Sequence, residues 1–130
     1  MKYVIMIHSN PRPWGHPTSD YLPEYQDMSQ EERDRVNAEF EKLLGELHEK
    51  GELISGEALG APESSRLYRW DDAKPLVTDG PYAEAKEHLA GFFLIDVESR
   101  ARAEEIAARF AGPGETVELR PTMGPGGDDQ

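Results

Sequence analysis

Apolar positions recur along this chain with two periods, one suited to strands and one to helices. Lys2 to His8 reads KYVIMIH, a β-branched and aromatic run that predicts a strand. Tyr3, Ile5 and Ile7 share one face and Val4, Met6 and His8 the other, so the strand is expected to be central and covered on both sides. Ser9 to Met28 contains Pro11, Pro13, Pro17 and Pro23, which predict a long loop free of helix and of paired strand. Trp14, Tyr21, Leu22 and Tyr25 are expected to clamp that loop against the domain. Ser29-Gln30-Glu31-Glu32 is a capping box, and Val36, Phe40, Leu43, Leu44 and Leu47 follow at helical spacing as far as Gly51, a left-handed C-cap.

Glu52 to Leu59 predicts a second strand with Leu53, Ser55, Glu57 and Leu59 on one face. Ser65 to Trp70 and Lys74 to Thr78 predict a hairpin turning at Asp71-Asp72-Ala73, with one wet face. Gly80 as N-cap and Pro81 at the first helical position would suit one turn of helix over Tyr82 to His88. Leu89 to Val97 is the most apolar run, a strand in which Gly91 permits a close approach. Ser99 caps a second helix with the stripe Ala103, Ile106, Ala107 and Phe110, stopped by Gly112-Pro113. Thr116 to Arg120 predicts the last strand.

With the hairpin set aside, the order is strand–helix–strand twice. That is the α+β, ferredoxin-like split βαβ pattern with a β-hairpin inserted at its midpoint. Residues 1–121 are expected to form one domain and 122–130 a flexible C-terminal tail. Two helices cover only one face of a sheet, yet Val4, Met6 and the Leu89 to Val97 run place apolar groups on both. The uncovered face predicts a homodimer packed sheet against sheet.

Composition narrows the partners. The 130 residues carry a formal net charge of −12, which repels phosphate backbones and anionic lipid, so neither nucleic acid nor membrane is expected. No apolar run approaches the roughly 20 residues that span a bilayer, and the N-terminus lacks the long apolar region of a secretory signal. A cytoplasmic protein is expected. The absence of cysteine excludes disulfides, thiolate chemistry and zinc–sulfur sites. His16 and Asp20 fall short of a coordination shell, so no metal and no cofactor is expected.

Asp79, at a strand end before Gly80-Pro81, is either a general base or the carboxylate of an Asx turn. His8, at the end of the first strand, is either an acid/base or a ring satisfied by a loop carbonyl. Glu57, among apolar neighbours, would titrate high on a dry face and be structural on a wet one or if paired with Arg69. Gly80, Tyr82, Lys86 and Trp14 are the expected ligand contacts, around a cavity between sheet and long loop, although Lys86-Glu87-His88 also reads as a solvated rim.

Val77-Thr78-Asp79-Gly80-Pro81-Tyr82, followed by Glu84, Lys86-Glu87 and Gly91-Phe92, resembles the DGPF branch of the YCII-related family. The resemblance extends over most of the chain, including MKYVIMI at the start, Gly51-Glu52-Leu53, Gly56 to Pro62, and Val117 to Pro121. It implies a ferredoxin-like fold of the dimeric α/β-barrel superfamily in a small bacterial cytoplasmic protein, in a family often associated with extracytoplasmic-function sigma factors. In a shorter branch a His/Asp pair is the suggested acid–base machinery; the long Pro-rich loop departs from that branch, and the pair is not carried onto positions here. Two classes of function follow: an acid–base small-molecule enzyme without redox cofactor, or a non-catalytic dimeric binding or regulatory module.

Overall fold

The computed structural model describes residues 1–128. Its centre is a four-stranded antiparallel sheet of β1 (Lys2–Ser9), β2 (Leu53–Ala58), β5 (His88–Asp96) and β6 (Thr116–Pro121), in the order β2-β5-β1-β6. Two long helices, α2 (Gln30–Glu49) and α3 (Arg100–Phe110), connect β1 to β2 and β5 to β6. This order of strands and crossovers is the ferredoxin-like α+β arrangement, and β1 is central as its two apolar faces required.

Both helices start and stop where their end chemistry dictates. Ser29 Oγ accepts from the Glu32 amide at 3.2 Å and Ser99 Oγ from the Arg102 amide at 3.1 Å. α2 closes over Lys50, with Gly51 following at φ +69. Leu43, Leu47, Ala103, Ile106 and Phe110 pack on Tyr3, Ile5, Ile95 and Val97 to form the core, and the Phe93 and Phe110 rings meet at 4.7 Å between centroids. Phe40 lies outside that core, its ring edge against Phe110 at 5.7 Å and its surface 40% exposed.

Charge seals the seam between the helices and the start of β2. Arg102 grips Glu52 with two bonds of 2.8 and 3.0 Å, and reaches Glu46 at 3.1 Å and Glu105 at 3.0 Å. Arg109 closes on the second oxygen of Glu46 at 2.9 Å. These bonds hold the Glu46 carboxyl down to about 2 and lower Glu52 from the ordinary value as well.

Several local expectations are corrected. The long loop is not free of helix: it contains a 3₁₀ turn at Thr18–Tyr21 and the short helix α1 (Pro23–Gln26). Pro23 stands at the first position of α1, where a missing amide hydrogen costs nothing. Leu22 and Tyr25 are buried, so the clamp by the loop's apolar groups holds. In β2 the register slips between Leu53 and Ser55, which turns Leu53 to the core while Ser55 and Glu57 stay on the other face. Residues 81–87 are irregular rather than helical, and His88 opens β5.

Among the described residues β3 (Arg66–Asp71) and β4 (Lys74–Asp79) pair only with each other, through a two-residue turn with φ 45 at Asp72 and φ 72 at Ala73. Among their residues only Leu67 is even half-buried, so the hairpin is an arm wetted on both faces rather than one. Beyond β6, β7 (Met123–Gly124) and β8 (Gly127–Asp128) pair in the segment expected to be a tail; its last two residues lie outside the described residues. Gly91 admits a close approach as expected: a Cβ there would lie 2.8 Å from the Glu57 carbonyl.

Candidate functional site

One face of the sheet carries the helices, and the register defines the other. Glu57, Phe92, Met6 and Glu118 form one row across the four strands, and Ser55, Leu94, Val4 and Arg120 the next. Val4, Met6, Phe92 and Leu94 are half-buried, and among the described residues no layer lies over them. An apolar strip therefore runs between carboxylates on the two outer strands. His8 borders this strip, its Nε2 2.9 Å from Glu118 Oε1, while Arg120 donates to Glu118 from the other side. The His8 ring and the Arg120 guanidinium hold the Glu118 carboxyl below its ordinary range. The partner of His8 is thus a neighbouring strand's carboxylate, not a loop carbonyl.

A second feature lies where loops converge at one end of the sheet. Asn10 to Trp14 of the long loop, Pro62 and Glu63 of a 3₁₀ turn, and Pro81, Glu84, Ala85 and His88 enclose an open cleft of about 380 Å³. The sequence builds flat, stiff walls there: Pro11, Pro13, Pro62 and Pro81 fix the backbone, and the Trp14 indole is pinned by a 2.9 Å bond to the Leu59 carbonyl. Within the described residues the side chains of Arg12, Glu63 and Glu84 form no hydrogen bond or ion pair, leaving a cation and two carboxylates available at the rim.

At the same end of the sheet sits a half-buried carboxyl group. The Gly112-Pro113-Gly114 turn after α3 delivers Glu115 to the underside of the long loop. Gly114 takes φ +81, and a Cβ there would meet the Glu24 carboxylate and Leu22, so the turn and α1 can approach only at glycine. Thr18 Oγ1 donates to Glu115 at 2.9 Å, and Thr116 Oγ1 donates to Glu87 at 2.7 Å. Burial pushes the Glu115 carboxyl above its ordinary range, against the Thr18 and Ser9 hydroxyls, and the charge of Glu87 adds to the rise. Ser9, wholly buried, pairs across the strands with His88, which lines the cleft. A half-buried carboxyl that keeps its proton to higher pH, beside Ser9 with the cleft histidine on the next strand across, has the makings of a proton donor.

The structure disperses the residues singled out from sequence. Trp14 lines the cleft, while Gly80 and Lys86 adjoin lining residues; the Gly80 amide bonds the Ser65 carbonyl at 2.8 Å. Tyr82 turns away, 79% exposed, with the Arg69 guanidinium 5.8 Å from its ring centre. Asp79 is exposed at the end of β4, opposite Arg66 in register, and Arg69 therefore serves Tyr82 rather than Glu57. His8 and Glu57 share the open sheet face, separated by β5, and are not brought to Asp79. Arg12, Glu63, Glu84 and Glu115 escaped sequence reasoning, and His88 entered it only within the charged Lys86-Glu87-His88 stretch. His88 opening an apolar strand was the one signal that could have flagged the cleft.

Fold and site together define a ferredoxin-like α+β domain with an uncovered apolar sheet face and a loop-walled cleft at one end. The chain belongs to the YCII-related family, whose domain model matches residues 1–120. It is also 34% identical over 79 residues to an uncharacterised protein of Rhizobium meliloti (strain 1021), a match spanning 61% of this chain and 64% of that protein. Among the described residues no helix is long and apolar enough to cross a membrane.

Proposed function

We propose that this member of the DGPF branch acts in the cytoplasm as a homodimer that binds a small organic molecule in the cleft. The observation that carries the reading is the lining itself: proline walls and a fixed indole beside an unpaired cation, two unpaired carboxylates and a histidine. Such a cleft suits a ligand with a flat apolar body and charged ends, stacked on Trp14 with an anionic group toward Arg12. The uncovered strip of Val4, Met6, Phe92 and Leu94 supports the homodimer, since sheet-on-sheet packing would take it out of water.

Glu115 favours one use of that binding over the other. A half-buried carboxyl with its pKa pushed up, at the cleft's end of the sheet and beside Ser9, the strand partner of His88, supports acid–base catalysis rather than passive sensing. A thermal-shift screen of charged metabolites tests the binding. At least one compound should raise the melting temperature of the wild type and lose that effect in Arg12→Ala; a screen of zwitterionic, acidic and aromatic compounds with no hit would overturn it. For a hit, turnover lost in Glu115→Gln with binding retained would support catalysis, and turnover unchanged in that variant would remove Glu115 from it.

A further inference from the structure

The β3–β4 arm is the part of the molecule with no explanation so far. On one of its faces Tyr68 pairs with Val77 and Trp70 with Pro75; on the other Leu76 sits opposite Arg69, with Tyr82 beside it. Tyr68 is 66% exposed, Trp70 76%, Leu76 47%, Val77 46% and Tyr82 79%. An isolated two-stranded ribbon gains little stability of its own, and its aromatic residues gain nothing by standing in water.

We propose that the arm is an intersubunit clasp: in the homodimer, each copy lays its arm on the other. The proposal rests on the dimer suggested above and adds the element that fastens it. Two observations select a second copy as occupant. The first is area. The exposed aromatic and aliphatic groups of one arm amount to roughly 500 Å², so two arms and the surfaces they cover come to roughly 2,000 Å², the size of a stable interface. The second is charge. From Arg66 to Asp79 three basic and three acidic residues cancel, so the rest of the chain carries the whole net charge of −12. The arm is the neutral, Arg-bearing segment that can approach another acidic copy of this chain without repulsion, and Glu57 at the outer edge of the open face is a ready partner for its arginines. A twofold axis would use the same patch twice, as closed dimers do.

Sedimentation equilibrium and tryptophan fluorescence test the clasp on the full chain. Tyr68→Ser/Trp70→Ser changes residues exposed in the protomer, so the fold should survive, as circular dichroism would verify. The double variant should dimerise about 100-fold more weakly, since aromatic anchors dominate such contacts. In a Trp14→Phe chain Trp70 is the only reporter, and its emission should be blue-shifted in the dimer and move red on dilution. A wild-type dimer whose dissociation constant is unchanged by the double variant, or whose Trp70 emits as in water, would overturn the clasp and leave the dimer standing. A wild type that is monomeric at micromolar concentration would overturn both.

Discussion

Replacing Arg102 with Met probes the seam that joins both helices to β2. Methionine keeps most of the packing of the aliphatic stem and removes the guanidinium. Arg102 and Glu52 are each 11% exposed at the side chain and share two bonds of 2.8 and 3.0 Å. Hydrogen bonds between charged groups contribute about 1.5–3 kcal/mol each when shielded, and the stranded carboxylate adds a desolvation cost. The links to Glu46 and Glu105 reach more open carboxylates and add little. A net loss of about 3 kcal/mol follows, or about 10 °C in melting temperature for a domain of this size. Adding Glu52→Gln should recover part of it, because the stranded charge is gone. The pH dependence has a definite sign. Glu46 and Glu52 titrate below their ordinary value of 4.5, so their contribution is complete above that pH and is lost as pH falls toward the folded values. The gap between wild type and Arg102→Met should hold from neutral pH down to 4.5 and close below it. A loss under about 1 kcal/mol, or a double variant no better than the single, would refute the reasoning.

Other substitutions separate the site from its surroundings. Glu115 titrates above its ordinary value of 4.5, so the folded state holds that proton longer than the unfolded chain and stability falls as pH rises past that value. Glu115→Gln should therefore gain on the wild type in melts between pH 4.5 and neutrality; a difference that does not grow with pH would contradict this. Trp14→Ala loses the 2.9 Å bond to Leu59 and a half-exposed ring, so it should cost about 1–2 kcal/mol yet abolish ligand-induced stabilisation. Asp79→Asn alters an exposed carboxylate beyond the cleft, and should cost about 1 kcal/mol or less while leaving the ligand shift intact; loss of that shift would place Asp79 in the site.

The fold was legible because its signals are local. Caps at Ser29 and Ser99, the stripes behind them and the doubly apolar Leu89 to Val97 each specify an element without knowledge of the rest. The misreadings arose where one residue changes meaning with its surroundings. Pro23 breaks a helix from inside and starts one from its first position. One extra residue between Leu53 and Ser55 reverses which side chains see the core, and alternation cannot reveal it. The cleft was harder still. Arg12, Glu63, Glu84 and His88 come from three separate segments, and only the folded sheet brings them together. Glu115 carries no signal in the sequence, because its partial burial is made by a loop nearly a hundred positions earlier in the chain.

The most direct test of the cleft as the binding site is a two-dimensional amide NMR titration with a compound found by the thermal-shift screen. The account predicts that shifts concentrate on Asn10, Arg12, Trp14, Glu63, Ala85 and His88. Shifts centred on Val4, Met6, Phe92, Leu94 and Glu118 would instead place the ligand on the open sheet face and contradict it.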